Sequence, residues 1–354
     1  MSIMNSNSNF DLNRLVRNNV KALRPYSSAR DEYVSDGSRK IFLDANENPF
    51  ENGLNRYPDP QQRTLKGVLS EYKGVQPEQL LLGNGSDEVL DLIFRAFCEP
   101  YKDNVISMPP TYGMYSVLAG INGIENREVL LTEALDIDLE STFKQIDEHT
   151  KLIFLCSPNN PTANSLKKEQ IRRILSQFHG LVVIDEAYID FSIEESWLKE
   201  LATHPNMVIT QTFSKALGMA GIRLGCCYAS TDVIGILNKI KPPYNVNELT
   251  QKAALEKLLD KEAIAREVAT VLSERKRLEK ALSGIPFVRR IYPSDANFIL
   301  VAVDDATLRY EQLLQRGLIV RNRSGQPLCQ NTLRFTVGTE TENNTLINVL
   351  KDLE

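Results

Sequence analysis

The sequence predicts an α/β protein: a large unit with a mostly parallel central sheet flanked by helices, followed by a smaller α+β unit. Three observations lead there. Short apolar runs alternate with helix-like stretches through the first two thirds of the chain, the pattern of strands joined by helical crossovers. Two runs, Leu152–Cys156 and Leu181–Ile184, are apolar throughout instead of alternating, as strands covered on both faces must be. A segment rich in Ala, Leu, Glu, Lys and Arg then runs from about Glu248 to Leu282 and stops at Ser283-Gly284-Ile285-Pro286, where Gly and Pro end a helix.

In chain order, residues 1–38 read as an N-terminal arm that packs with the small domain, and the first nine, polar and of low complexity, are expected to fray. Residues 39–245 read as the large domain. Its expected strands are Leu80–Leu82, Asn104–Met108, Lys151–Cys156, Leu181–Ile184, Met207–Gln211 and Arg223–Ala229. Residues 246–354 read as the long interdomain helix plus the small domain. In that domain Phe298–Val303, Gly317–Arg321 and Thr332–Thr339 alternate with a helix near Asp305–Gln315 and a C-terminal helix.

Composition narrows the function. The chain has 354 residues, 42% hydrophobic and 25% charged, which suits a globular protein of about two domains. The longest apolar run, Phe298–Val303, is far below the ~20 residues of a membrane span, and the polar start lacks a secretory apolar core; a cytoplasmic location is expected. The odd set Cys98, Cys156, Cys226, Cys227 and Cys329 contains no CxxC pair, so reduced, buried thiols are expected, and no metal site. A net charge of -5 offers no basic surface for nucleic acid or an anionic membrane. A small molecule is the expected partner.

Several common sites fail on inspection. Gly83-Asn84-Gly85-Ser86-Asp87-Glu88 has two of the three dinucleotide-loop glycines, but Glu88 occupies the third position, and no GxxxxGK[ST] or GxSxG occurs. His149, His179 and His204 are isolated from one another and read as surface or satisfied side chains. What remains is polar residues directly after strands, where open α/β sheets bind ligands: Asn160, then Asp185 and Tyr188, then Thr212, Ser214 and Lys215, then Arg223. Singly, each is an ordinary turn, cap or exposed charge. Together they hold what pyridoxal 5'-phosphate requires. Lys215 would form the Schiff base, its pKa lowered in a water-poor crevice. Asp185 would pair with the pyridine nitrogen, and Asn160 and Tyr188 would donate to the phenolic oxygen. Gly83–Ser86, leading into a helix, with Thr212, Ser214 and Arg223, would hold the phosphate. Asp87 and Glu88 complement the helix start but oppose a phosphate unless they turn away. Tyr112 could stack on the ring.

With these residues in view, the chain resembles the fold type I pyridoxal phosphate-dependent aminotransferases, and within them the branch acting on histidinol phosphate. The motifs are Pro25-Tyr26 with Ser28-Ala29-Arg30, Asp44-Ala45-Asn46-Glu47-Asn48-Pro49, Arg56-Tyr57-Pro58-Asp59, Gly85-Ser86-Asp87-Glu88 and Pro110-Thr111-Tyr112-Gly113-Met114-Tyr115. They continue with Pro158–Thr162, Asp185–Tyr188, the stretch from Ser214-Lys215 to Gly225, Ala296-Asn297-Phe298 and Arg334–Gly338. The resemblance implies that Lys215, Asp185 and Tyr188 are catalytic. It also implies that Asn160, Tyr112, Ser86, Asp87, Thr212, Ser214 and Arg223 bind the cofactor, with Tyr57 reaching the cofactor phosphate of a neighbouring subunit in a homodimer. Arg334, Arg321, Tyr26 and Asn160 would bind substrate. The strand pattern agrees, since Leu333, Phe335 and Val337 share one face and leave Arg334 on the other. The implied reaction is ping-pong transamination between histidinol phosphate and 2-oxoglutarate/glutamate, with an aromatic aminotransferase or threonine-phosphate decarboxylase as rivals on the same fold. A cofactor-sensing regulator would want a DNA-binding module and basic surface, and a silent scaffold would not need Lys215 and Asp185.

Two departures stand out. Ala163 occupies a position where the family usually has Gly, so a left-handed backbone there would be strained, and Ser157 stands where Asn is frequent.

Overall fold

The computed structural model describes residues 10–26 and 41–353, and within them eleven strands form two sheets. The large sheet contains β1 (Leu80–Asn84), β2 (Asn104–Ser107), β3 (Glu125–Glu128), β4 (Thr150–Cys156), β5 (Leu181–Asp185), β6 (Met207–Thr212) and β7 (Leu224–Ala229), in the order β1-β7-β6-β5-β4-β2-β3. Strands β3, β2, β4, β5 and β6 pair in parallel, while β7 is antiparallel to both β6 and β1. Strand β7 alone is therefore reversed.

The continuous apolar runs are explained by two separate cores. In β4 and β5, Ile153, Leu155, Val182 and Ile184 face helices Arg63–Lys73 and Lys168–Gln177. Leu152, Phe154, Leu181 and Val183 face helices Ser86–Phe97, Met114–Ile121 and Thr231–Ile240. Alternation carries Asp185, the last residue of β5, onto the second face. The unexpected strand is β3. Its Glu-Asn-Arg-Glu sequence has no apolar residue and pairs only with β2 at the sheet edge, where charge discourages further pairing.

The small sheet comprises β8 (Val288–Ile291), β9 (Phe298–Val303), β10 (Arg321–Asn322) and β11 (Thr332–Thr336), antiparallel in the order β10-β11-β9-β8. Ile299, Val301, Leu333 and Phe335 pack under helices Ala306–Gln315, Glu340–Asp352 and the end of Lys261–Leu282. Phe298 joins Ala163, Tyr188 and Ala216 in a small cluster between the sheets. Arg275 pins the join, donating to the carbonyls of Phe191 (3.2 Å) and Ala296 (2.7 Å).

Three expectations need correction. The segment Glu248–Leu282 is two helices, Glu248–Leu259 and Lys261–Leu282, because Asp260 leaves helical geometry and caps the second by accepting from the Ala263 amide at 2.8 Å. Of Gly317–Arg321, only Arg321 enters a strand. The arm expected over residues 1–38 does not pack with the small unit where it is described: Leu15, Val16 and Val20 are buried against the core that helices Ser86–Phe97 and Thr231–Ile240 share. Each such side chain contributes about 1.5–3 kcal/mol, and Arg17 adds a backbone bond to Ala96 (3.1 Å) and an ion pair with Glu99 (3.2 Å). The first nine residues and Ser28-Ala29-Arg30 lie outside the described residues.

Candidate active site

The crevice opens where β4, β5 and β6 end. Asp185, 3% exposed, accepts from the Tyr115 hydroxyl at 2.8 Å and from the Ala187 amide at 3.1 Å. Burial raises its pKa, and these donors oppose the rise. The loop after β4 supplies Asn160, whose amide donates to Tyr188 Oη at 3.5 Å. Its carbonyl oxygen accepts from Arg334 Nη1 at 2.5 Å. The loop after β6 supplies Lys215, whose Nζ lies 5.6 Å from the centre of the Tyr188 ring. Burial lowers the Lys215 pKa, and the neighbouring Arg334 charge lowers it further.

At the other end, Ser86 begins helix Ser86–Phe97 beside β7. A Cβ on Gly225 would sit 2.2 Å from the Ser86 amide nitrogen, and one on Gly85 would sit 2.6 Å from Arg223 Nη2, so these glycines permit a close backbone approach. Arg223 itself is left-handed, at φ 54°. Asp87 stays in the crevice, held by two partners. It accepts from Tyr112 Oη at 3.0 Å and lies 3.8 Å from Arg223 Nη2. Glu88 folds back onto the Asn84 amide and Asn245. The Thr212 hydroxyl is engaged locally, donating to the Leu224 carbonyl (3.4 Å) and accepting from the Ser214 amide (3.1 Å).

Ser86, Asp87, Tyr112, Asn160, Asp185, Tyr188, Thr212, Ser214, Lys215 and Arg223 line one cavity of about 160 Å³. Arg334 reaches it through Asn160, and Arg321 lies directly opposite Arg334 across β10 and β11. Two predicted residues sit elsewhere in this chain. Tyr57 stacks on Tyr244 with ring centres 4.5 Å apart and lines a separate cavity. Tyr26, 72% exposed, makes no hydrogen bond to Arg321 or Arg334. None of the histidines lines the crevice.

Sequence reasoning gave no role to Tyr115, Cys156 or Arg323. Tyr115 is fully buried in the first turn of helix Met114–Ile121 and holds Asp185; an aromatic directly after a strand-end loop was the available signal. Cys156, the last residue of β4, lines the cavity. Burial lowers the pKa of Arg334 to about 10, and Arg323, which follows β10, adds to the lowering.

The Asn160 loop bears out the concern over Ala163, which is left-handed at φ 69° and wholly buried. Hydrogen bonds hold it there: Asn159 donates to the Pro110 carbonyl (2.8 Å) and Thr162 (2.7 Å), and the Ala163 amide donates to the Asn159 carbonyl (2.8 Å).

Known proteins are similar to this chain over most of its length. A histidinol-phosphate aminotransferase from Christiangramia forsetii is 61% identical over 98% of this chain and 99% of its own length. One from Flavobacterium johnsoniae is 60% identical over 97% and 98%. The crystal structure of the Clostridium acetobutylicum histidinol-phosphate aminotransferase superposes with a TM-score of 0.78 at 25% identity, covering 85% of this chain and 91% of that one. The family model "Aminotransferase class I and II" matches residues 38–350. With a lysine, a buried carboxylate and a helix-start cradle meeting in one crevice across nearly the full length of that match, the chain belongs to the class I and II aminotransferases.

Proposed function

We propose that this chain exchanges the amino group of L-histidinol phosphate with 2-oxoglutarate, giving imidazole acetol phosphate and L-glutamate, with pyridoxal 5'-phosphate as cofactor. The observation that carries this reading is a partly desolvated amine, Lys215, with no hydrogen-bond partner among the described residues, in the same cavity as the buried carboxylate Asp185, with Arg334 at its edge. The relatives bearing that enzyme's name at 60% identity or more support it.

The residues fit the cofactor. Ser86, Ser214 and Arg223 surround a helix start that the glycines keep open, and Asp87, held by Tyr112, lies close enough to Arg223 for the guanidinium to offset its charge. When bound, the cofactor supplies an electron sink for the substrate carbon that carries the amine. Asp185 would hold the ring nitrogen protonated, its negative charge maintained by Tyr115. Asn160 and Tyr188 would donate to the phenolic oxygen, and Tyr112 would cover the ring. Lys215 would anchor the cofactor and then carry a proton to and from the reacting carbon, for which a lowered pKa suits it. Arg334, Arg321 and Tyr26 would take the substrate phosphate, and the guanidinium fork suits carboxylate and phosphate alike. Tyr57, outside its own crevice, would serve a second copy in a homodimer. We place the large unit at 39–245, the small one at 246–354, and the enzyme in the cytoplasm.

The test is the visible absorption of the purified protein with pyridoxal phosphate, titrated separately with L-histidinol phosphate, L-phenylalanine and L-glutamate. The lysine-linked band should be lost fastest with histidinol phosphate and also with glutamate. Preference for phenylalanine would make it an aromatic aminotransferase, carbon dioxide release without a keto acid would make it a decarboxylase, and no band at all would refute the cofactor assignment.

A further inference from the structure

We infer that Arg323 is a third guanidinium of the substrate-anion subsite and makes that subsite select a phosphate monoester dianion over a carboxylate. The inference rests on the reading above for the location of the substrate, and it adds a residue that neither the strand pattern nor the family motifs assigned.

The geometry comes from the end of the small sheet. Strand β10 pairs with β11 so that Arg321 lies opposite Arg334, and the next bond of that ladder runs from the Arg323 amide to the Thr332 carbonyl at 2.9 Å. Alternation along this ladder places Arg321, Arg323 and Arg334 on one face, away from the core that holds Leu333 and Phe335. Arg323 therefore lies one pair along the ladder from Arg334, on the same face, and Arg334 reaches the crevice through Asn160.

This face lacks its counter-charge. Among the described residues no carboxylate pairs with Arg321, Arg323 or Arg334. Elsewhere in the same unit Arg309 is paired with Asp304 at 2.8 Å and Arg277 with Glu274 at 2.6 Å. The Nε atoms of Arg323 and Arg334 are both buried with no hydrogen-bond partner among the described residues. Buried polar groups are rarely left unmatched, and guanidinium groups least of all. Two such donors on one face of the ladder, with Arg334 also donating to Asn160 through Nη1, suit an anionic ligand.

The number of guanidiniums decides which anion. A carboxylate has two oxygens and one charge, which a single fork satisfies. A phosphate monoester presents three terminal oxygens and nearly two charges at neutral pH, and needs a second fork. Arg334 alone would not distinguish the two; Arg321 opposite it supplies a second fork and Arg323 a third, one for each terminal oxygen of a phosphate.

The test uses inorganic phosphate and acetate as competitive inhibitors of glutamate turnover by the cofactor-loaded enzyme, so that its outcome is independent of which phosphorylated amine is the natural substrate. Arg323→Gln should weaken inhibition by phosphate about 10- to 100-fold, the usual cost of a lost charge-assisted pair, and inhibition by acetate by less than about threefold. Arg323→Lys, which keeps the charge without the fork, should recover part of the phosphate inhibition. An unchanged phosphate inhibition constant would overturn the inference. So would an equal loss for phosphate and acetate, since that is what a residue supporting Arg334 only structurally would produce. If histidinol phosphate proved not to be a substrate while phosphate inhibition still depended on Arg323, the proposed function would fall and this inference would stand.

Discussion

The two ends of the crevice are finished differently. On the large sheet the buried carboxylates at the end of β5 already have protein partners: Asp185 has Tyr115 and the Ala187 amide, and Glu186 has Ser196, the Trp197 amide and Gln211. On the small sheet Arg323 and Arg334 retain buried nitrogens with no partner among the described residues. The first end is organised before any ligand arrives, as electrostatic stabilisation of a reaction requires. The second is completed by what it binds. Damage to the large-sheet end should therefore appear mainly in kcat, and damage to the arginine face mainly in KM.

Lys215→Ala is the severest way to break the first end. Turnover should fall by at least about 10⁴-fold in a steady-state assay, because the group that anchors the cofactor and carries the proton is gone. The fold should survive, since the Lys215 ammonium bonds to nothing among the described residues. Normal turnover by this variant would reject the site.

Tyr115→Phe sharpens the contrast. It removes one donor from a carboxylate whose pKa burial already raises, so the pKa must rise further. Protonation of Asp185 then sets in at higher pH as pH falls, and the acid limb of kcat/KM moves toward neutrality. At neutral pH kcat should drop about tenfold with KM little changed. A change in KM alone would show that Tyr115 does not act through Asp185.

Ala163→Gly should have the smallest effect. Relief of a left-handed alanine is worth roughly 1–2 kcal/mol. The added freedom of the unfolded chain and the loss of a buried methyl group take back about as much. The melting temperature should stay within a few degrees of the parent, which is unusual for a wholly buried alanine. A large loss would mean that the methyl group, and not the hydrogen bonds of Asn159, holds the loop.

Most of the large unit was legible because burial writes itself into continuous apolar runs. Strand β3 was not, because an edge strand of charged residues carries no apolar signal. The break at Asp260 was masked by good helix formers on both sides, a capping aspartate looking the same as a surface one until its partner is known. Asp185, Lys215 and Asn160 were legible because each lies at the end of a strand or in the loop that leaves it. Tyr115 was hidden inside an apolar helix, and Arg323 resembled a solvated loop charge, because what distinguishes them is the neighbour each meets across the fold. The arm failed for the same reason: the helix face that Leu15 and Val20 cover belongs to residues far along the chain.

The reversal of β7 has a consequence for how competence is gained and lost. Parallel neighbours must be joined by a long crossover, whereas antiparallel ones can be joined by a short loop. Because β7 runs against β6, the chain leaves Thr212, presents Lys215, and returns through Arg223 to Gly225 within one hairpin tied by the Phe213 amide to the Leu224 carbonyl at 3.0 Å. The amine and half of the phosphate cradle thus share a single local folding unit. Fraying of that hairpin would disarm both together, so partially assembled molecules that grip the cofactor phosphate firmly yet lack a placed lysine should be scarce.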